Sequence, residues 1–159
     1  MRVGMGFDVH RFVSGRPLIL GGVEIDRKRG LAGHSDADVL IHALMDALLG
    51  AAALGDIGDH FPDSDPVYQG ISSVELLRIV RRLLVDRGYR VINVDIMVLA
   101  EKPKLAPFKS DMIHLLAHEL QVAETDVSIK ATTMEKMGFI GREEGIAVQA
   151  VALIDSCDE

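Results

Sequence analysis

The sequence predicts an α+β fold, a two-layer sandwich in which one mixed β-sheet carries helices on one face. Segments that alternate apolar and polar residues are interleaved with segments of helical spacing. A hairpin pattern stands near the start, so the sheet is not built from strand-helix repeats alone. The last apolar run, GIAVQAVALI, is apolar on both of its faces, so the side of the sheet turned away from the helices also needs a cover. An oligomer that packs sheets together supplies it more simply than a second helical layer.

Taken in order, Arg2 to His10 is expected as a strand, and Leu18 to Leu20 with Val23 to Ile25 around Gly21-Gly22 as a hairpin. Ser35 followed by Asp38 resembles a capping box and opens a helix reaching about Ala53. Asp56 to Pro66, rich in Asp, Gly and Pro, is expected as a loop. Ser72-x-x-Glu75 opens a second helix with apolar residues at Leu76, Leu77, Val80, Leu83 and Leu84, and Gly88 ends it. Ile92, Val94, Ile96 and Val98 then alternate as in a half-buried strand. Pro103 and Pro107 interrupt the chain before a helix from about Ser110 to Gln121. Val127 to Ala131 is expected as a strand, a short helix starts near Thr133, and Gly145 to Ile154 is the final strand.

With 159 residues, 48% hydrophobic and 26% charged, the chain suits one domain spanning 1–159 with a substantial core. A net charge of -7 argues against nucleic acid as a partner, because phosphate contacts need a basic stripe. The single Cys157 excludes an intrachain disulfide and fits a reducing, cytoplasmic setting. Neither a leader pattern nor a membrane-spanning run is legible, so the expectation is a soluble, unprocessed protein.

Chemistry concentrates between Gly33 and Asp65, where three of the six histidines and seven aspartates crowd a mostly apolar segment. Asp38, His42 and Asp46 fall in one stripe of an otherwise oily helix, and such groups must be satisfied internally. Asp8 and His10, two apart on a strand, project from the same face. With His42 they make a two-histidine, one-carboxylate set suited to zinc, with one position open. Asp38 or Asp46, each one turn from His42, is positioned to orient its ring. Spacing alone leaves equally open that Asp8 caps a turn and His10 lies on the surface.

Asp111, His114 and His118 share helical spacing but read as a solvated face, and His60 is ambiguous. The acidic side chains of the 56–65 loop are wrong for direct phosphate contact; they suit ribose-like or polyol hydroxyls or metal-bound water, and a rigid surface turn is an equally open reading. Thr132 and Thr133 offer hydroxyls and amides at an expected helix N-terminus, where phosphate binds readily and where an ordinary threonine cap is equally at home. Glu135 nearby can hold magnesium. The Walker, GxGxxG, GxSxG and HExxH patterns are absent, so any chemistry needs no protein nucleophile.

GFDVHRF, GHSDADVLIHALMDALLGAAALGDIGDHFPDSDP and IKATTMEKMGFIGREEGIA together closely resemble the 2-C-methyl-D-erythritol 2,4-cyclodiphosphate synthase family, over essentially the whole chain. The resemblance implies a homotrimer with sheets packed around its axis and active sites between subunits. It implies conversion of 4-diphosphocytidyl-2-C-methyl-D-erythritol 2-phosphate to the 2,4-cyclodiphosphate and CMP, in the non-mevalonate isoprenoid pathway. Asp8, His10 and His42 would bind one zinc per site, and Glu135 a second divalent ion, magnesium or manganese. His34 and Thr133 match positions that stabilise the transition state, and Ser35 joins the phosphate contacts. Asp56, Ile57 and Gly58 with Phe61, Pro62, Asp63, Ser64 and Asp65 match the segments that hold the methylerythritol part.

The neighbouring subunit would supply the cytidine and diphosphate side through Ala100, Glu101, Lys102, Pro103, Lys104, Leu105 and Ala106 with Thr132, Thr133, Met134 and Glu135. Phe139 and Arg142 also fall on substrate-contact positions. Met134 replaces a residue that is often polar, and Ser64 a common threonine. Gln149 stands where some relatives carry an acid, so the resemblance does not extend to isoprenoid-diphosphate binding in the axial cavity. Two rival readings share the fold: a zinc-dependent phosphodiesterase and a non-catalytic trimer that binds isoprenoid diphosphates.

Overall fold

The structure is a computed structural model that describes residues 1–157. In chain order its elements are β1 (Arg2–Ser14), β2 (Leu18–Leu20), β3 (Val23–Asp26), β4 (Arg29–Leu31), α1 (Val39–Ala51), α2 (Ile57–His60), α3 (Ser73–Asp86), β5 (Tyr89–Leu99), α4 (Lys109–Leu120), β6 (Val127–Thr132), α5 (Gly138–Gly141) and β7 (Gly145–Ser156). The main sheet runs β4-β1-β7-β5-β6, and β2 and β3 form a separate hairpin. Only the β5-β6 pair is parallel, so the sheet is mixed, as expected.

Residue size decides how α1 meets the sheet. Alternation along β1 turns Gly4, Gly6, Asp8 and His10 to one side and Val3, Met5, Phe7 and Val9 to the other. Gly4 pairs with Ala152 and Gly6 with Ala150, giving a floor of very small residues. A Cβ at Gly4 would lie 2.0 Å from the Ala47 carbonyl oxygen, and one at Gly6 2.0 Å from that of Ala43. Helix α1, with Ala43, Ala47 and Ala51 along this side, therefore lies almost against the backbone of β1. That close approach brings His42 down to Asp8 and His10.

The opposite face of β1 stays open. Val3 is 66% exposed, Met5 61% and Phe7 54%, and Val9 and Val151 continue the apolar strip. Gln149 sits on the same face, paired with Phe7 and Met97.

Several boundaries differ from the sequence reading. The first long helix starts at Val39, with Asp38 rather than Ser35 as its cap, because Ala37 takes a left-handed φ of 60° and turns the chain just before it. The Asp56 to Pro66 stretch is not a plain loop. Asp56 and Asp59 form a capping box that winds α2, and Asp65 caps a 3-10 turn at Pro66–Tyr68. In β5 a register shift between Val91 and Asn93 breaks the alternation at Ile92, so Val91 is the buried residue there. The expected helix near Thr133 begins only at Gly138, since Glu135 and Lys136 both adopt positive φ and form a turn. Strand β4 carried no sequence signal, being three residues long with a glycine at its centre.

Candidate metal centre and cleft

Asp8, His10 and His42 meet. His10 Nε2 lies 2.8 Å from Asp8 Oδ2, His42 Nδ1 lies 3.2 Å from the same oxygen, and the two ring nitrogens are 3.3 Å apart. Among the described residues no other group of three His, Cys, Asp or Glu side chains converges this way.

The His10 ring has a fixed tautomer. Its Nδ1 donates to the Ala32 carbonyl, which can only accept, so in the neutral ring Nε2 carries a lone pair toward Asp8. Lone pairs facing each other at this range need a cation. A proton is one such cation: burial lowers the His10 pKa, but the Asp8 carboxylate and the Ala32 carbonyl more than reverse this and raise it above its usual value. Burial raises the Asp8 pKa, and the imidazoles of His10 and His42 beside it more than reverse this, holding it well below the usual carboxylate range. A divalent metal is the other cation that fits. Tetrahedral bonds of 2.0–2.1 Å set neighbouring donors about 3.3 Å apart, close to the spacing found here.

This cluster lines a cleft of about 490 Å³. His34, Ser35, Ile57, Gly58, Phe61, Pro62 and Asp63 line it, together with Val9, Gly33, Met45, Tyr68 and Leu76, which the sequence reading had not assigned. His34 lines the cleft, and its Nε2 is buried without a hydrogen-bond partner, a costly state for a polar group. Arg16, also unassigned from sequence, secures this loop by donating to the Gly33 and Ser35 carbonyls, both at 2.6 Å. Nothing in the local sequence around Arg16 points to that bond, which spans a hairpin.

The idea that Asp38 or Asp46 orients His42 is not borne out. Asp38 is fully buried, and its carboxylate accepts the amides of Gly21, Gly22 and Ile41. It ties the hairpin to the start of α1. Burial pushes its pKa up to about 6 despite those donors. Asp46 accepts the Ile57 amide at 2.8 Å and so anchors α2 beside the cleft. The His42 ring instead meets serines: Nε2 is 3.1 Å from both Ser35 Oγ and Ser73 Oγ.

Other predicted site residues lie outside this cleft. Asp56 and Asp65 spend their carboxylates on the caps already described, and Ser64 does not line the pocket. His60 meets the Leu54 carbonyl. His114 pairs with Glu124 on the surface, and His118 is exposed beside Glu119, as expected of a solvated face.

The 100–106 and 132–135 segments form a second cluster. Ala100 N donates to the Thr132 carbonyl, and Glu101 accepts the amides of Met134 and Lys136. Those two amides are therefore engaged rather than free. Thr133 Oγ1 donates to Glu135 at 2.9 Å. Lys102 pairs with Glu143, Leu105 is buried, Arg142 pairs with Glu144, and Phe139 is exposed. Val9, Ala147, Leu99 and Thr132 stand in one row across β1, β7, β5 and β6. Thr132 is thus three strand spacings, roughly 14 Å, from Val9, and the two clusters share one end of the sheet without touching.

The profile of the YgbB family matches residues 1–155. A 2-C-methyl-D-erythritol 2,4-cyclodiphosphate synthase from Symbiobacterium thermophilum is 62% identical over 154 residues, covering 97% of this chain and 98% of that one. Among solved structures, the bifunctional IspDF from Campylobacter jejuni superposes with a TM-score of 0.96 at 48% identity, over 99% of this chain. This chain spans 42% of that longer protein. IspF of Plasmodium falciparum, in a CDP complex, gives a TM-score of 0.86 at 33% identity, over 99% of this chain and 97% of that one. The family and synthase matches run nearly end to end, which leaves no room for a borrowed segment: the chain belongs to the YgbB family.

Proposed function

We propose that the protein converts 4-diphosphocytidyl-2-C-methyl-D-erythritol 2-phosphate into 2-C-methyl-D-erythritol 2,4-cyclodiphosphate and CMP, as a phosphorus-oxygen lyase of the isoprenoid pathway. The observation that carries this reading is the convergence of Asp8, His10 and His42 in a cleft also lined by His34, whose Nε2 is unpartnered. The name of the 62% identical relative supports the substrate.

An oxygen of the substrate's 2-phosphate attacks its β-phosphorus. The bond from that phosphorus to the oxygen bridging the α-phosphate breaks, and CMP leaves with the oxygen. The reaction is an internal displacement, so no external nucleophile or redox partner is required. Its demand on the protein is alignment of two anionic groups.

Asp8, His10 and His42 would hold one zinc, and Glu135 a magnesium or manganese ion. Such cations neutralise charge that builds on the phosphate oxygens. His34 donates from Nε2 to a phosphate oxygen, and Ser35 adds a contact beside it. Ile57, Gly58, Phe61, Pro62 and Asp63 hold the methylerythritol part, and Asp56, Ser64 and Asp65 shape the loop that carries them. Thr133, Thr132, Met134 and the 100–106 loop bind the diphosphate and cytidine, flanked by Phe139 and Arg142.

Those last residues act from a neighbouring copy in a homotrimer. The roughly 14 Å between the clusters of one chain supports this, as does the uncovered strip of Val3, Met5, Phe7 and Val9. Phosphorus NMR after incubation with the substrate and magnesium tests the activity. A cyclic diphosphate with CMP is expected; open-chain phosphate products or unchanged substrate would overturn it.

A further inference from the structure

Metal binding by His42 through Nδ1 requires its proton on Nε2, and at that nitrogen the ring meets two hydroxyls, each able to donate or accept. Ser73 has no proton to give. Its hydroxyl donates to Asp36 Oδ1 at 2.5 Å, its amide donates to Asp36 Oδ2 at 2.9 Å, and the Asp38 amide adds a contact to Oδ1 at 3.2 Å. With its hydroxyl proton committed to the carboxylate, Ser73 Oγ turns a lone pair toward His42. That lone pair favours N–H at Nε2 and leaves Nδ1 bare toward Asp8 and His10.

We infer that Asp36 and Ser73 are positioning residues that set the tautomer of His42 for metal binding. His10 achieves the same end through one backbone carbonyl, whereas His42 depends on a side-chain relay that starts at a carboxylate. The inference rests on the reading of Asp8, His10 and His42 as ligands.

A purely structural role for Asp36 is also visible, since its amide donates to the Ile71 carbonyl and its carboxylate accepts the Ser73 amide at the start of α3. Those bonds do not involve the hydroxyl. Ser73→Ala removes the relay and leaves them in place, while Asp36→Asn, with its one carbonyl oxygen held by the Ser73 amide, turns an NH2 donor toward Ser73 Oγ and so frees the hydroxyl proton to point at His42.

The test is zinc affinity by chelator competition for wild type, Ser73→Ala and Asp36→Asn, paired with long-range proton-nitrogen NMR of the His42 ring in the metal-free proteins above the histidine titration range. Each variant is expected to bind zinc about 10- to 100-fold more weakly and to shift the ring toward the Nδ1–H tautomer. Weaker zinc binding without a tautomer shift would reduce the pair to a structural role and overturn the inference, as would wild-type affinity in both variants. If Ser73→Ala does not fold, Asp36→Asn alone decides. A wild type that binds no zinc would overturn the ligand reading itself, whereas wild-type binding that ignores both substitutions sinks only the relay.

Discussion

Gly6 lies against Ala43 so closely that a Cβ on the glycine would stand 2.0 Å from the alanine's carbonyl oxygen. The obstacle is helix backbone, which cannot rotate away. Gly6→Ala should therefore push α1 off the sheet, at a cost of about 1–3 kcal/mol or more. Because His42 lies one residue before Ala43, zinc affinity should fall together with the denaturation midpoint. Unfolding in urea and metal analysis of the same preparation check both; a variant with wild-type midpoint would contradict the packing argument.

His42→Ala should lose zinc and activity together, since it removes one of three donors at the point of convergence. Metal content after dialysis is the direct measurement, and full zinc occupancy in the variant would refute the assigned role.

Asp38 predicts a pH dependence of stability. Its carboxyl has a pKa of about 6 in the folded chain against 3.8 in the reference state, so the folded protein holds an extra proton between those values. The contribution is fully present below about pH 4 and is lost as pH rises through about 6. Relative to Asp38→Asn, wild type should lose roughly 2 kcal/mol of unfolding free energy from pH 4 to 7. Paired denaturant titrations at both pH values measure it; a difference that stays constant would show that Asp38 does not titrate in this window.

Asp46→Ala should loosen α2 by removing the acceptor of the Ile57 amide. A loss of about 1 kcal/mol is expected, with faster amide exchange confined to the 56–60 segment. If the polyol end of the substrate binds there, KM should rise more than kcat falls.

Mixing subunits tests the shared site. His42→Ala and Thr133→Ala should each be inactive alone. Unfolded together and refolded, random trimers that place the two intact halves in one site should recover about a quarter of wild-type activity. No recovery in verified mixed trimers would show that both halves act from one chain.

Strand and helix periodicities made the metal set a candidate by putting Asp8 and His10 on one side and His42 on the buried stripe, but spacing does not decide whether that strand and helix meet. The sequence also disclosed the boundaries that depend on local chemistry: Ser72 caps α3, and Gly88 takes the positive φ that ends it. Asp38 and Asp46 were misread because helical spacing shows which residues are neighbours on a helix but not which backbone amides compete for them. The amides that win belong to a distant hairpin and to the following turn.

The amino-acid order by itself indicated the long strands and helices and the ligand candidates, since these follow from short-range periodicity and capping, and the family resemblance, which rests on three long motifs in order. Tertiary structure alone decided three things: how near α1 lies to β1, which groups surround the ring nitrogens of His10 and His42, and that the Thr132 cluster stands apart from the Asp8 cluster. Each depends on contacts between residues far apart in sequence. Their partners are chosen by packing against bare glycines and by the need to satisfy every buried donor and acceptor.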